Sequence, residues 1–246
     1  KKGDLIAMEK GEFNPIRISD QLDWQRIRKL LSIGLVASIL MLIGDMLIGR
    51  GVQDESLTGA ARMFSAYREA GNTRLFWSAL LGMLGMWIEG LSYFGIYRLM
   101  AQASPKHAHQ YRTGIIGYIV FGPCDFHVPV CMAMFVYRSL TQAEATNVAQ
   151  AMAQFAKYFI LPSFLLFWLF FIILEWAQIS AFAKGMTPYP KWCWIFSLPI
   201  GMIIAKMLNI FGNHAWVNAI DCGWISVGNL WMFGGLLIMM RKVCKK

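Results

Sequence analysis

The sequence predicts an all-α fold: a polytopic integral membrane bundle of six transmembrane helices with both termini in the cytoplasm. Its 246 residues are 57% hydrophobic and only 15% charged, whereas a soluble domain carries about 25% charged residues. The hydrophobic residues form runs of about 20, the length that crosses a bilayer core. Most Lys and Arg residues fall in the tails and in alternate connections, which indicates the cytoplasmic side. The net charge of +9 therefore reflects membrane topology, and no nucleic-acid partner is predicted.

Residues 1–29 are a basic segment, predicted to be a cytoplasmic tail. They are too polar for a signal peptide, which needs a short apolar core. Residues 18–30 either form an amphipathic helix on the lipid surface, with Trp24 at the interface, or belong to a solvated tail. Residues 241–246 form a second basic cytoplasmic tail.

The predicted transmembrane domain covers residues 30–240. Its spans lie at about 30–48, 75–98, 113–137, 157–182, 192–212 and 215–240. Pro123, Pro162 and Pro199 are predicted kinks, which membrane helices tolerate where their neighbours satisfy the freed backbone groups.

Two outer connections are predicted to contain short helices that act either as lids or as packed connections. In the first connection, residues 49–74, apolar side chains recur at helical spacing from Leu57 to Tyr67. The second, residues 141–156, opens with Thr141 and Glu144 at the spacing of a capping box.

The stretch from Lys206 to Asp221 joins the last two spans and is the predicted functional site. Lys206, Asn209 and Asn213 are three and four residues apart, so a helix would place them on one face. His214, Asn218 and Asp221 repeat that pattern after the turn. An unpaired Lys or Asp in hydrocarbon costs roughly 3 kcal/mol on insertion scales, so these side chains should point into the protein.

Charged and polar residues of other spans are expected to join this stretch in one outward-facing cavity. The cavity would bind a small amphiphilic or anionic molecule with Lys206 as its charge anchor. The structural alternative is a permanent salt bridge from Lys206 to Asp221, Asp125 or Asp45. The predicted lining residues are Lys206, Asp221, Asp125, His127, His214, Asn218, Asn209, Asn213 and Asp45.

A second polar layer is predicted in the inner half of the bundle. Glu89 and Glu175 lie in the second and fourth spans, with Tyr93 and Gln178 nearby in sequence. Two interpretations are open: proton relays, or protonated carboxylic acids hydrogen-bonded to a neighbouring helix.

No cofactor is favoured, but a zinc alternative exists. His127 and His214 with a carboxylate from Asp45, Asp125 or Asp221 would supply three zinc ligands and leave a position for water. This set resembles the His/Asp site of alkaline ceramidases and adiponectin receptors. Those proteins have seven spans and a third histidine, whereas His107 and His109 fall in a predicted cytoplasmic loop here.

Two further resemblances concern the whole bundle. Its intramembrane His, Glu, Asn and Trp residues are similar in type to those of the sterol isomerase family related to emopamil-binding protein, which implies a pocket able to hold an amphiphile. The tryptophans are Trp87, Trp168, Trp216, Trp224 and Trp231. The chain also resembles small six-span bacterial membrane proteins of unassigned function, which implies a bacterial cytoplasmic membrane. That second resemblance rests on Gly44-Asp45, the run from Glu89 to Arg98, Thr187-Pro-Tyr-Pro190 and Gly228-Asn229.

The favoured function is binding or transport of a small amphiphilic or anionic molecule. Its partners would be membrane lipids and that ligand, in a monomer or an oligomer. One alternative is an intramembrane enzyme acting on a lipid or sterol-like substrate, with or without zinc. Another is a structural or assembly subunit, in which the polar residues hold helices together. The sequence contains no P-loop, dinucleotide-binding turn, nucleophile elbow or H-E-x-x-H motif, so the chemistry of those motifs is not predicted.

Overall fold

The computed structural model describes residues 22–244, and within that range every regular element is a helix. The prediction of an all-α bundle is confirmed. The α-helices are α1 Trp24–Gly49, α2 Gly59–Ser65, α3 Asn72–Ser92, α4 Phe94–Ala101, α5 Pro105–Phe121, α6 Val128–Gln142, α7 Val148–Phe155, α8 Leu161–Ala183, α9 Leu198–Met207, α10 Ala215–Cys222 and α11 Trp224–Val243. Two π-helical segments (Pro123–His127 and Ala156–Ile160) and two 3-10 turns (Lys191–Ile195 and Leu208–Phe211) link some of them.

Four continuous helical segments are long and apolar enough to cross a membrane. A fifth candidate is the pair α10 and α11, which is bent by 65°. The four segments are Trp24–Gly49, Asn72–Ala101, Pro105–Gln142 and Val148–Ala183. The chain is therefore a membrane-embedded helical protein with four or five candidate spans in the described part. The predicted 192–212 span instead contains a 3-10 turn and the shorter apolar helix Leu198–Phe211.

Local sequence explains where several helices begin and bend. The Asp23 carboxylate accepts a hydrogen bond from the Arg26 amide at 2.9 Å, so α1 starts at Trp24, inside the predicted 1–29 tail. Residues 18–21 of the predicted interfacial helix lie outside the described residues. At Gly223, between α10 and α11, a Cβ would lie 2.7 Å from the Leu42 side chain. The absence of a side chain there lets the bend pack against α1.

The long helices run between two ends of the bundle. The basic end carries the start of α1 with Arg28, the start of α5, the end of α8 and the end of α11 with Arg241. The loop end carries residues 50–58, 143–147 and 212–214.

Small residues bring helices into close contact. A Cβ at Gly44 of α1 would lie 2.9 Å from the backbone nitrogen of Gly82 in α3. A Cβ at Gly201 of α9 would lie 2.7 Å from the Cα of Gly228 in α11. Without these glycines the backbones would have to separate, and van der Waals contact between membrane helices would be lost.

The surface of the bundle is apolar. On α8, Leu165, Leu169, Ile172 and Trp176 are exposed at helical spacing, so they form one stripe along the helix. Buried side chains include Tyr93, Tyr111, Tyr118, Phe167 and Phe233, which form part of a continuous core. An apolar exterior around a core that contains tyrosines is the arrangement expected where the solvent is lipid.

At the loop end, α2 and the chain that follows it pack against α6. Helix α2 lies within the helical pattern predicted from Leu57 to Tyr67, and its Phe64 ring stacks on Tyr137 at 5.4 Å. Arg138 donates hydrogen bonds to the Ala70 carbonyl and to Asn72. The second short helix, α7, begins after Asn147. The predicted capping box at Thr141 is wrong, because the Thr141 hydroxyl donates to the Tyr137 carbonyl of the preceding helix at 2.8 Å.

Candidate functional site

Lys206 and Asp221 form an ion pair between α9 and α10. The Lys206 ammonium lies 2.6 Å from the Asp221 carboxylate, and Asn209 donates to the same oxygen at 2.8 Å. The Lys206 and Asp221 side chains are 40% and 29% exposed. Gly212, at a φ of 85°, turns the chain between the two helices. The sequence pattern placed these three residues beside one turn, and of the salt bridges that it left open, the one to Asp221 is present.

Lys206 also lines an apolar cleft of about 410 Å³. Its ammonium lies 4.5 Å from the centre of the Trp224 ring, within the range of a cation–π interaction. The remaining lining residues are Pro199, Met202, Ile203 and Met207. A positive charge at the wall of an apolar cleft is suited to an anionic group that carries a hydrocarbon chain.

Asn213 and Asn218 face a different partner, the backbone of the loop after α1. Asn213 accepts from the Gln53 amide at 3.1 Å and donates to the Gln53 carbonyl at 2.8 Å. Asn218 donates to the Gly51 carbonyl at 2.7 Å and to Asn213 at 2.8 Å. The predicted face shared with Lys206 does not extend to Asn213, because helix α9 and its 3-10 turn end before Gly212. These two asparagines hold the loop onto α10.

Asp45 and His127 form a second polar group, which is buried. His127 Nδ1 lies 3.7 Å from Asp45, whose other oxygen accepts from the Ser226 hydroxyl at 2.6 Å. His127 Nε2 lies 3.1 Å from the Ser78 carbonyl. Because a carbonyl oxygen only accepts, Nε2 carries a proton. His127 therefore presents a donor to Ser78, and its other ring nitrogen faces the Asp45 carboxylate.

Two local features create room for His127. The π-helical segment begins at Pro123, and its wider turn is closed by the His127 amide, which donates to the Gly122 carbonyl at 2.9 Å. On α3, a Cβ at Gly82 would overlap the His127 ring. Asp125 lies in the same segment and is partly buried, and its side chain forms no hydrogen bond or ion pair with residues 22–244.

The structure thus divides the predicted outer set into separate groups of contacts. Lys206, Asn209 and Asp221 form one, Asn213 and Asn218 a second, and Asp45 and His127 a third. His214 joins none of them through its side chain, which is exposed at the start of α10. Across residues 22–244 no three His, Cys, Asp or Glu residues are grouped so that they could hold a metal ion.

The inner polar layer is a hydrogen-bond network around Glu89. One Glu89 oxygen accepts from the Tyr118 hydroxyl at 2.9 Å and from Asn229 at 3.0 Å. The Tyr93 hydroxyl donates to the carbonyl oxygen of Asn229 at 2.7 Å. Glu89, Tyr93, Tyr118 and Asn229 are all fully buried. The network joins α3, α5 and α11 through the core.

Glu175 and Gln178 lie on α8 in the neighbouring part of the core. Gln178 accepts from Tyr111 at 3.2 Å and donates to the Phe196 carbonyl at 3.0 Å. The Tyr111 ring packs edge-on against Tyr93 at 6.3 Å, which connects this group to the Glu89 network. The Glu175 carboxyl lies near the Leu198 amide, but neither oxygen meets hydrogen-bond geometry with any described group.

Four polar residues belong to these groups but were not predicted from the sequence as site residues. Tyr111 and Tyr118 are seven residues apart on α5 and so share one face, and Ser226 and Asn229 are three apart on α11. Helical spacing of polar atoms within an apolar segment was the available signal. It would have identified the faces but not the partners.

Comparison with known proteins gives a family without an activity. A family model described as "Family of unknown function (DUF6796)" matches residues 13–243. No curated protein and no solved structure matches the chain.

Proposed function

The chain belongs to that family of unknown function, and from this premise we propose that it binds or transports a small anionic amphiphile beside Lys206. One observation supports the proposal most directly. The Lys206 ammonium stands at the wall of an apolar cleft of about 410 Å³ with Trp224 beneath it. The ligand's hydrocarbon chain would pack on Met202, Ile203 and Met207, and its acidic group would contact Lys206.

The pairing with Asp221 is compatible with such a ligand. An ammonium has three donors; the Asp221 side chain takes one at 2.6 Å and the Asp221 carbonyl a second, longer one at 3.5 Å. Asn209 donates to the same Asp221 oxygen, so that carboxylate keeps a partner if Lys206 turns towards a ligand. The pair is partly exposed, which makes exchange of partners less costly than in a fully buried pair. Lys206 would then act as a displaceable anchor.

The proposal includes a six-crossing topology. Helix α8 ends at the basic end and α10 starts at the loop end, and in this topology the chain would return between them through Leu198–Phe211. That segment has 14 residues in α9 and its 3-10 turn, about 21 Å of helix. The hydrocarbon core is about 30 Å thick, so this segment would cover only part of the crossing. Lys206 lies near its loop end and would therefore be close to the membrane surface there.

The orientation follows from charge. Lys and Arg are more frequent in the connections and tails of the basic end, so that end is proposed to face the cytoplasm. The Lys206 cleft then lies in the outer half of the bundle. The resemblance to small bacterial membrane proteins supports a bacterial cytoplasmic membrane as the location.

The test compares dodecanoate with dodecanol as probes of detergent-purified protein. We expect dodecanoate to raise the thermal unfolding temperature of the wild type more than dodecanol does, because only the carboxylate pairs with Lys206. Lys206→Met should remove this difference. The matched control is Lys157→Met, since Lys157 also lies over an aromatic ring, that of Tyr158 at 5.5 Å, but outside the cleft. An undiminished preference for dodecanoate in Lys206→Met would overturn the proposal.

The zinc-enzyme alternative lacks a comparable observation. It requires His127 and His214 to act together, but His127 is buried against Asp45 and His214 is exposed at the start of α10. Elemental analysis of the same purified sample separates the two functions. One zinc per chain, lost on changing either histidine, would favour the enzyme.

A further inference from the structure

A second cleft opens at the basic end, between α1 and α11. Its volume is about 630 Å³, the size of a small-molecule site. Arg28 of α1 and Arg241 of α11 line it on opposite sides. It lies at the other end of the bundle from α10, so it is separate from the Lys206 cleft and nothing in the proposed function uses it.

The lining of this cleft changes from cationic to apolar with depth. Arg28 lies near the start of α1 and Arg241 in the last turn of α11, whereas Leu35 and Gly234 lie seven residues further in, about 10 Å along a helix. Leu237 lies between these levels. A charged mouth above an apolar groove has the shape of an amphiphile with its headgroup at the membrane surface.

The two arginines at the mouth of the cleft have no acidic partner within residues 22–244. Neither Arg28 nor Arg241 forms an ion pair or a side-chain hydrogen bond with residues 22–244, and no acidic side chain is among the lining residues. Lys206, by contrast, is paired with Asp221. Two guanidinium groups facing one cleft are suited to phosphate, because each presents parallel N–H donors.

Trp24 completes the mouth. It lines the cleft, and its ring centre lies 6.4 Å from that of Tyr189. Tryptophan and tyrosine are enriched at the level of lipid headgroups. The pair marks this end of the cleft as the level at which a phosphate would lie.

From these features we propose that the cleft binds one anionic phospholipid. Its phosphate lies between Arg28 and Arg241, and one acyl chain lies along Leu35, Gly234 and Leu237. Basic pockets between transmembrane helices recognise anionic headgroups in this way. The site holds α1 against α11 and is occupied whether or not the Lys206 cleft contains a ligand.

Gly234 offers a direct way to block the acyl groove. A Cβ there would meet only the Leu35 side chain, at 3.8 Å, which is ordinary contact. A Cβ at the next residue, Gly235, would instead overlap the Phe196 ring. Gly234→Leu should therefore fill the groove while leaving the helix packing intact.

The test is native mass spectrometry of protein titrated with phosphatidylglycerol or phosphatidylcholine in detergent. We expect one phosphatidylglycerol to bind the wild type preferentially. The double variant Arg28→Gln/Arg241→Gln should weaken phosphatidylglycerol binding about 25-fold, at about fivefold per arginine near a headgroup. Gly234→Leu should weaken binding of both lipids. Arg26→Gln is the matched control, because Arg26 lies on the same turn of α1 but does not line the cleft.

Three results would overturn the proposal: an unchanged phosphatidylglycerol preference in the double variant, an equal loss in Arg26→Gln, or saturation of the site by inorganic phosphate alone. Circular dichroism of each variant verifies that it is folded. Lys206→Met should retain the phosphatidylglycerol preference, so this site and the proposed ligand cleft succeed or fail separately.

Discussion

Glu89 shows how one buried carboxyl can organise a membrane protein core at the scale of a single residue. One of its oxygens accepts hydrogen bonds from Tyr118 and Asn229, on two different helices. Neither partner is a cation, so the local geometry favours a hydrogen-bonded acid over an ion pair. The alternative, a proton relay, requires the carboxyl to change charge during function.

We predict that Glu89→Gln preserves the fold and that Glu89→Leu does not. The glutamine carbonyl oxygen can accept both hydrogen bonds, whereas leucine leaves two buried donors without a partner, at about 1–3 kcal/mol each. Thermal unfolding in detergent measures the difference. If both variants are equally destabilised, an ionised Glu89 is needed, and the relay interpretation is favoured.

Asp45 has a different role, although it is also a buried carboxylate in an apolar helix. It joins three elements, because it faces His127 of the π-helical segment and accepts from Ser226 of α11. The His127 proton that points at Ser78 leaves this histidine poorly placed to act as a base towards Cys131, 3.8 Å away. The group therefore has the features of helix-joining polar contacts, which a structural subunit would also need.

At the scale of elements, glycine contacts between α1 and α3 set the position of His127. Gly44 permits the two backbones to approach, and Gly82 leaves the space that the imidazole ring fills. The π-helical segment directs the ring into that space. The π-helical segment and the facing Gly82 thus place the His127 ring in a buried contact between two helices.

We expect Gly82→Ala to destabilise the protein by about 1–3 kcal/mol, the usual cost of overpacking. The added methyl group overlaps the His127 ring and would move it away from Asp45. Gly71→Ala is the control, since a Cβ there meets nothing within 4 Å and its φ is −65°. Chemical or thermal unfolding compares the two variants. Equal stabilities would mean that His127 can repack, and that this contact does not determine the α1 and α3 geometry.

At the scale of the whole molecule, the number of crossings decides which surface the Lys206 cleft opens on. Four helical segments and one bent pair qualify by length, and Leu198–Phe211 does not. If that segment crosses, the loop end lies wholly on one side of the membrane and the basic end on the other. Whether this short helix crosses therefore decides from which side of the membrane a ligand could enter.

Labelling of single cysteines with a membrane-impermeant maleimide tests this topology in a background without the five native cysteines. We expect Glu55→Cys and His214→Cys to react in intact cells, and Lys184→Cys to react only after lysis. All three positions are exposed in the fold, so access depends on the membrane. If His214→Cys and Lys184→Cys both react in intact cells, the 198–211 segment does not cross the membrane. Reaction of Lys184→Cys alone in intact cells would reverse the orientation.

The sequence by itself determined the fold class, because a bilayer demands long apolar helices and the chain supplies them. It also placed Lys206, Asn209 and Asp221 beside one turn, with Asp221 as one of three candidate carboxylate partners of Lys206, since residues close to a turn lie near each other whatever the rest of the bundle does. Tertiary structure alone decided the partners of Asp45, His127 and Glu89. Those partners lie on helices that are distant in sequence, and helix periodicity gives the face of a side chain but not its neighbour. The two cationic clefts belong to the same category, because they exist only where separate helices are brought together by packing.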